Sequence, residues 1–453
     1  MHNLLSLQRI VRTWWPLAAS WMLMGAELPV ISAVIARLAN PEVNLAAYGG
    51  VVFPLALIIE SPVIMLLAAS TALSKDYASY RKVRRFMLVT GGSFTVLHAL
   101  IAFTPLYYFV VKGLIDAPAE IIEPARIGMM IMTPWTISIA YRRFNQGVLI
   151  RFDHSRAVGM GTVVRLSADG LVLALGYQLG SLPGIVVGTS AVAAGVVSEA
   201  LFVGAVVRPV VHRQVRPARP VAEPLTLRSF LDFYIPLAMT SLLMLLANPI
   251  GSAALSRMPQ ALASLAVWPV VTGLVFMLRG IGIAFNEVVV ALLDEPNSVR
   301  SLRRFSLLLS LATSGALLLL AGTPLSRFWF EDISALSPGL ASLAIAGLWV
   351  TLPLPALNVW QSWYQGSILY SKRTRGITES VVIYLLTSAL ILIGGVVWGK
   401  TTGLYIGLAA LVLSVFTQTS WLWYRSRPAV RQVERRDEGF SGELVMEGVT
   451  SKE

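Results

Sequence analysis

Glu27, Glu60, Arg142, Arg143, Arg165, Asp169, Glu199, Arg279 and Glu287 are ionisable residues set inside or at the ends of long apolar runs. A charge in such a setting costs a few kcal/mol or more, so each is a candidate for proton exchange, ion coupling or recognition of a charged solute. Glu27 lies two residues before Pro29. A carboxyl of low-dielectric surroundings can trade a proton, and Glu27 is read as an ion-coupling group or as a structural carboxyl bonded to a neighbouring helix. Glu60, two residues before Pro62, is the second ion-coupling candidate; with Arg279 it would form either a gate and anion site or a fixed structural pair. Arg165 and Asp169 stand at i and i+4, a spacing that puts them on one helix face and favours mutual neutralisation.

Arg142, Arg143, Asn145 and Gln146 close an apolar run. The two guanidiniums either snorkel to a membrane interface or form a vestibule for anions, since the guanidinium fork suits carboxylate and phosphate. Asn358, Gln361 and Gln365 are their polar counterparts later in the chain, and Asn248 and Asn286 offer neutral hydrogen bonds. His98 reads as a satisfied core histidine, with pH sensing as the alternative. There is no glycine-rich phosphate loop with a lysine, no cluster with metal-ligand spacing and no cysteine. Neither ATP drive, a cofactor, a metal nor enzymatic catalysis is expected.

The elements that must carry these groups are membrane helices. Of 453 residues, 56% are hydrophobic and only 13% charged, against roughly 25% charged in an ordinary soluble domain. Twelve apolar runs are long enough to span a bilayer: 13–36, 46–70, 86–111, 127–150, 157–179, 182–207, 230–255, 261–290, 304–324, 339–364, 377–398 and 403–424. The first is read as a retained helix rather than a cleaved signal peptide. With both termini placed in the cytoplasm, 26 of the 36 Lys and Arg fall on the inner side, 6 outside and 4 within spans, as the positive-inside rule requires. The net charge of +12 then serves contact with an anionic leaflet and not nucleic acid.

The chain echoes itself. At a shift of 219, Arg84-Arg85-Phe86 meets Arg303-Arg304-Phe305, Thr104-Pro105-Leu106 meets Thr323-Pro324-Leu325, Pro134 meets Pro353, Gln146-Gly147 meets Gln365-Gly366 and Arg156 meets Arg375. At 220, Pro16-Leu17-Ala18 meets Pro236-Leu237-Ala238 and Pro29 meets Pro249. Two six-span halves that enter from the same side would be related by a twofold along the membrane normal, one of the standard plans of secondary transporters. The expected fold is therefore an all-α polytopic membrane protein: a six-helix lobe over 1–207, a cytoplasmic linker over 208–229, a second lobe over 230–424 and a polar, partly disordered tail over 425–453.

This 6+6 plan, with a proline-bearing first helix and a Gln-Gly exit from the fourth span, resembles the multidrug/oligosaccharidyl-lipid/polysaccharide flippase superfamily, which includes the MATE transporters. Trp15-Pro16-Leu17, Ala47-Tyr48-Gly49, Leu97–Phe103 and Tyr107-Tyr108-Phe109 look most like its progressive ankylosis branch. The resemblance implies a monomeric secondary transporter in a bacterial cytoplasmic membrane that exports a small organic or phosphate-bearing anion, such as pyrophosphate, a nucleotide or citrate. MATE relatives imply an alternative, multidrug cation exchange for protons or sodium, and flippase relatives imply lipid-linked sugar transport. The acidic coupling residue of MATE transporters aligns near Ile31, one turn from Glu27. Arg279, Arg142, Arg143, Asn145, Gln146, Asn358 and Gln361 are the expected substrate contacts.

Overall fold

The computed structural model describes residues 5–221, 223–296, 298–371 and 375–450, with side chains to Asp437. Lys372, Arg373 and Lys452, counted above as inner-side cations, lie outside the described residues. Among those described, every regular element is helical. The first half comprises α1 (Leu7–Ile35), α2 (Pro41–Leu73), α3 (Tyr77–Phe103), α4 (Ala119–Ile131), α5 (Thr133–Arg151), α6 (Ser155–Leu179) and α7 (Gly184–Val215). The second comprises α8 (Leu227–Ser256), α9 (Ala261–Leu292), α10 (Ser298–Gly322), α11 (Pro338–Val350), α12 (Leu354–Tyr370), α13 (Arg375–Trp398) and α14 (Gly403–Thr450).

Ten of these helices are long and apolar enough to cross a membrane, and α11 with α12, bent by 42°, makes an eleventh. The expected span at 127–150 falls on α4 and α5, where Arg142, Arg143 and Arg151 interrupt the apolar character. The chain is thus a multi-pass integral membrane protein.

Local sequence sets the breaks. Asp76 caps α3, accepting from the Ser79 amide at 2.8 Å, so this helix starts well before the expected residue 86. It stops at Phe103 because Thr104 precedes a proline and is driven into extended backbone. The same Thr-Pro step follows α10. Left-handed residues recur in step: Asn40 and Gln260, Asp116 and Ala335, Gly180 and Gly399. So do two tethers between helices. Asn44 Oδ1 accepts from the amide of Ile185 at 3.1 Å, and Ser264 Oγ from that of Leu404 at 3.0 Å.

The halves interlock through their first helices: α1 packs along α9, and α8 along α2. Backbones come close there. A Cβ on Gly49 would lie 2.4 Å from the Pro269 ring, within a stretch of π-helix at Ala47–Val52.

Two boundaries differ from expectation. The helix that begins at Gly184 runs on to Val215, so the irregular connection to α8 is much shorter than 208–229. The tail, expected to be partly disordered, continues α14. Ala429, Val430 and Val433 are buried, and the latter two join Leu5 and Ile10 in one apolar cluster. That stripe, with Arg436 donating to the Leu293 and Glu295 carbonyls at 2.9 and 3.1 Å, supplies the docking face that a charged composition concealed. Both ends of the described chain therefore meet at one end of the bundle.

Candidate functional site

A cavity of about 420 Å³ lies between the halves, walled by α1, α2 and α6 on one side and α8, α9, α13 and α14 on the other. Its lining is largely apolar, with Glu27, Arg165, Asn248 and Arg279 as its polar landmarks.

On the first-half wall, Arg165 Nη2 donates to both oxygens of Glu27, at 2.5 and 2.6 Å. The pair is not sealed: the two side chains retain 19% and 14% exposure. Asp169 sits behind it, 3.9 Å from Arg165 Nε. The expected i,i+4 neutralisation is thus corrected, because the principal partner of Arg165 is Glu27, from another helix. Among the described residues, neither buried oxygen of Asp169 has a hydrogen-bond donor. Glu27 and Arg165 are the charged groups that act most strongly on this carboxyl. Tyr48, 1% exposed, faces the same three groups. Gly195 makes the room, since a Cβ there would stand 1.7 Å from Asp169 Oδ1.

Deeper in the same half, Arg142 forms a buried ion pair with Glu199, and Gln146 Nε2 donates to the other Glu199 oxygen at 2.9 Å. Arg142 therefore does not snorkel. It stands nine residues before the end of α5, about 13 Å along the axis. Glu60 is also buried, with one oxygen lacking a donor, and its cationic neighbours are Arg142, Arg143 and Arg165. The expected Glu60–Arg279 pairing does not occur: among the described residues no ion pair joins them, and each has different neighbours. The local tally is four carboxyls (Glu27, Glu60, Asp169, Glu199) against three guanidiniums (Arg142, Arg143, Arg165). One bound proton or monovalent cation balances it, and an unbalanced buried charge is costly.

The second-half wall is built differently. Arg279 Nε donates to Asn358 Oδ1 at 3.1 Å, and Asn358 is fixed in turn by the Leu354 carbonyl at 2.9 Å. Tyr384 is the ionisable group beside the guanidinium. Arg279 has no carboxylate within ion-pair distance among the described residues. Of the expected substrate contacts, only Arg279 lines the cavity. Asn358 positions it, while Arg142, Arg143, Asn145, Gln146 and Gln361 lie off the wall. Tyr48 and Tyr384 were not singled out for chemistry. Tyr384 occupies the register of Arg165 at the 219 shift, a signal the repeat made available.

At the end of the bundle away from the termini, two arginines cross between halves. Arg37, after α1, donates to the Ile333 and Asp332 carbonyls at 2.8 and 2.5 Å. Arg257, after α8, donates to the Ile115 and Leu114 carbonyls, both at 3.0 Å.

This arrangement has known counterparts. The fold is that of the MATE transporters of the MOP superfamily. An inward-facing multidrug resistance MATE family transporter of that superfamily superposes with a TM-score of 0.69 over 90% of this chain and 96% of its own, at 14% identity. The lipid II flippase MurJ, in an inward closed conformation, gives 0.68 over 93% and 90%, at 13% identity. A MOP superfamily transporter from Pyrococcus furiosus, in which reverse polarity of the binding pocket suggests a different function, gives 0.62 over 96% and 97%, at 16% identity. No protein-family model and no curated protein matches the sequence.

Proposed function

We propose that this chain is a secondary active transporter in which two six-helix lobes, both starting and ending in the cytoplasm, rock about the central cavity and export a small organic or phosphate-bearing anion. Pyrophosphate, nucleotides and citrate are the substrate class. The carrying observation is Arg279: a guanidinium on the cavity wall, held by a neutral amide and lacking a counter-ion among the described residues. A solute carboxylate or phosphate supplies that counter-ion, and the fork geometry of Arg favours both.

The opposite wall supplies coupling. A proton taken up between Glu27 and Asp169 loosens the hold of Arg165 on Glu27 and balances the four-to-three tally; sodium would do so by the same count. Buried charge changes of this size bias an equilibrium between two packings. The in-step left-handed residues and tethers support two repeated lobes, and the likeness to inward-facing and inward-closed relatives supports alternating access. A cytoplasmic bacterial membrane, a working monomer and the finer likeness to the ankylosis branch belong to the same proposal. The reverse polarity of the binding pocket in the Pyrococcus furiosus transporter, which suggests a different function for it, supports looking beyond multidrug cations for this fold.

A flux panel in proteoliposomes tests the reading. Pyrophosphate, citrate and a nucleotide are offered beside cationic dyes, with and without a pH gradient. Anion flux driven by the gradient is expected; movement of the dyes alone contradicts it and favours multidrug cation exchange.

A further inference from the structure

A second cavity, of about 310 Å³, opens in the first half between the start of α3, the middle of α5 and the end of α7. It shares no lining residue with the central cavity. Arg84, Arg208, Arg216 and His212 stand around its rim, and Tyr141 and Asn145 lie further in. No Asp or Glu lines it, and none of the three arginines forms an ion pair among the described residues. Arg216 is instead held over the Tyr77 ring, 5.4 Å from its centre. The interior is built and not merely open. Asn145 is 2% exposed, with its amide nitrogen committed to the Tyr141 carbonyl at 2.9 Å. Gly204 lets Tyr141 reach the wall, because a Cβ there would stand 2.6 Å from the phenol oxygen.

We propose that this cavity binds a phosphate-bearing anion, separately from the transported solute. Three guanidiniums without an ion-pair partner among the described residues, one from α3 and two from the end of α7, converge on one concavity. Charge-assisted forks of this kind are the standard receptors for phosphate oxygens. The phenol of Tyr141 adds a neutral donor. The volume lies at the small end of ligand pockets, which suits an organic phosphate or a lipid headgroup better than a large polymer. Arg84 lies early in α3, Arg208 near the end of α7 and Arg216 just beyond it, so a bound phosphate would also clamp α3 to α7.

The full-length chain is purified in zwitterionic nanodiscs and titrated with inorganic pyrophosphate by calorimetry. In parallel, nanodiscs containing phosphatidic acid or phosphatidylglycerol are analysed by native mass spectrometry for retained lipid. Each probe is repeated on Arg84→Gln/Arg208→Gln and on Gly204→Leu, which fills the cavity without removing charge. Arg279 is proposed to hold pyrophosphate in the central cavity, so the second site is the binding that remains in Arg279→Ala, and both variants made in that background are expected to weaken it by about tenfold or more. Saturable pyrophosphate binding that persists in Arg279→Ala assigns a soluble phosphate; selective retention of anionic lipid assigns a headgroup. No binding in either arm overturns the proposal. So does binding unchanged in both variants, or binding abolished by Arg279→Ala, which places it in the central cavity. Thermal unfolding of each variant separates lost binding from lost fold. If Gly204→Leu fails to fold, Asn145→Leu repeats the filling test.

Discussion

Arg165 stands between two carboxyls, Glu27 at 2.5 Å and Asp169 at 3.9 Å, and this inequality sets what each substitution does. Glu27→Gln leaves Arg165 at most one neutral amide acceptor in place of a carboxylate and removes one of four acids, so flux is expected to lose its dependence on a pH gradient while downhill flux persists. Unchanged coupling rules Glu27 out as the carrier. Glu199 has a different duty. Glu199→Leu leaves Arg142 buried and unpaired, a loss of about 3–5 kcal/mol. Thermal unfolding in detergent should drop accordingly, and the added Arg142→Met change should recover most of it. Recovery fails if the pair also serves transport-linked packing. The sequence disclosed that these residues were costly, but it did not disclose their partners. Arg165 and Glu27 are 138 positions apart, so the only neighbour visible along the chain was Asp169. His98 was legible because its surroundings are all apolar helix, and its two ring nitrogens are indeed satisfied by Thr136 and Met129.

Elements were more legible than partners. Proline after threonine ended α3 and α10, and apolar length marked the spans. The extension of α7 to Val215 was hidden because Arg208, His212 and Arg213 read as linker, although a helix tolerates them on its solvent side. The remaining connection is tied down by Asp76, whose second oxygen accepts from the Val221 amide at 3.2 Å. Burial would raise this carboxyl, but the bonds from Ser79 and Val221 outweigh it and hold the group below its usual range. The folded value is depressed, so its contribution is fully present above the unfolded value of about 3.9 and is lost as pH falls through the folded one. Protection of the Val221 amide in hydrogen exchange, corrected for intrinsic rate, should fall below about pH 4. Asp76→Asn should reduce it at neutral pH and remove the acid step. A step that survives the substitution assigns the tether elsewhere.

Across the whole molecule, the repeat and its departures carry the account. Structure around the cavity recurs in step, but the ionic cluster does not. Glu27, Arg165, Asp169 and Glu199 correspond in sequence to Ala247, Tyr384, Ser388 and Gln418, so the first-half wall of the cavity carries an ion pair where the second-half wall carries Arg279. The Arg37 and Arg257 contacts join the two halves of the chain at the end away from the termini. Losing these charge-assisted bonds should shift the balance between open and closed at that end by on the order of tenfold. The cysteine-free chain allows a direct reading: a maleimide reporter at Asn248→Cys should label faster from that side in Arg37→Ala/Arg257→Ala. Equal labelling means the closure lies elsewhere. An anion is proposed to complete the site of Arg279, which has no ion-pair partner among the described residues. Pyrophosphate or citrate flux in proteoliposomes, compared between the native chain and Arg279→Ala under one fixed pH gradient, tests it most directly. Arg279→Ala is expected to lose about tenfold or more of the anion flux; undiminished flux means that Arg279 does not bind the anion.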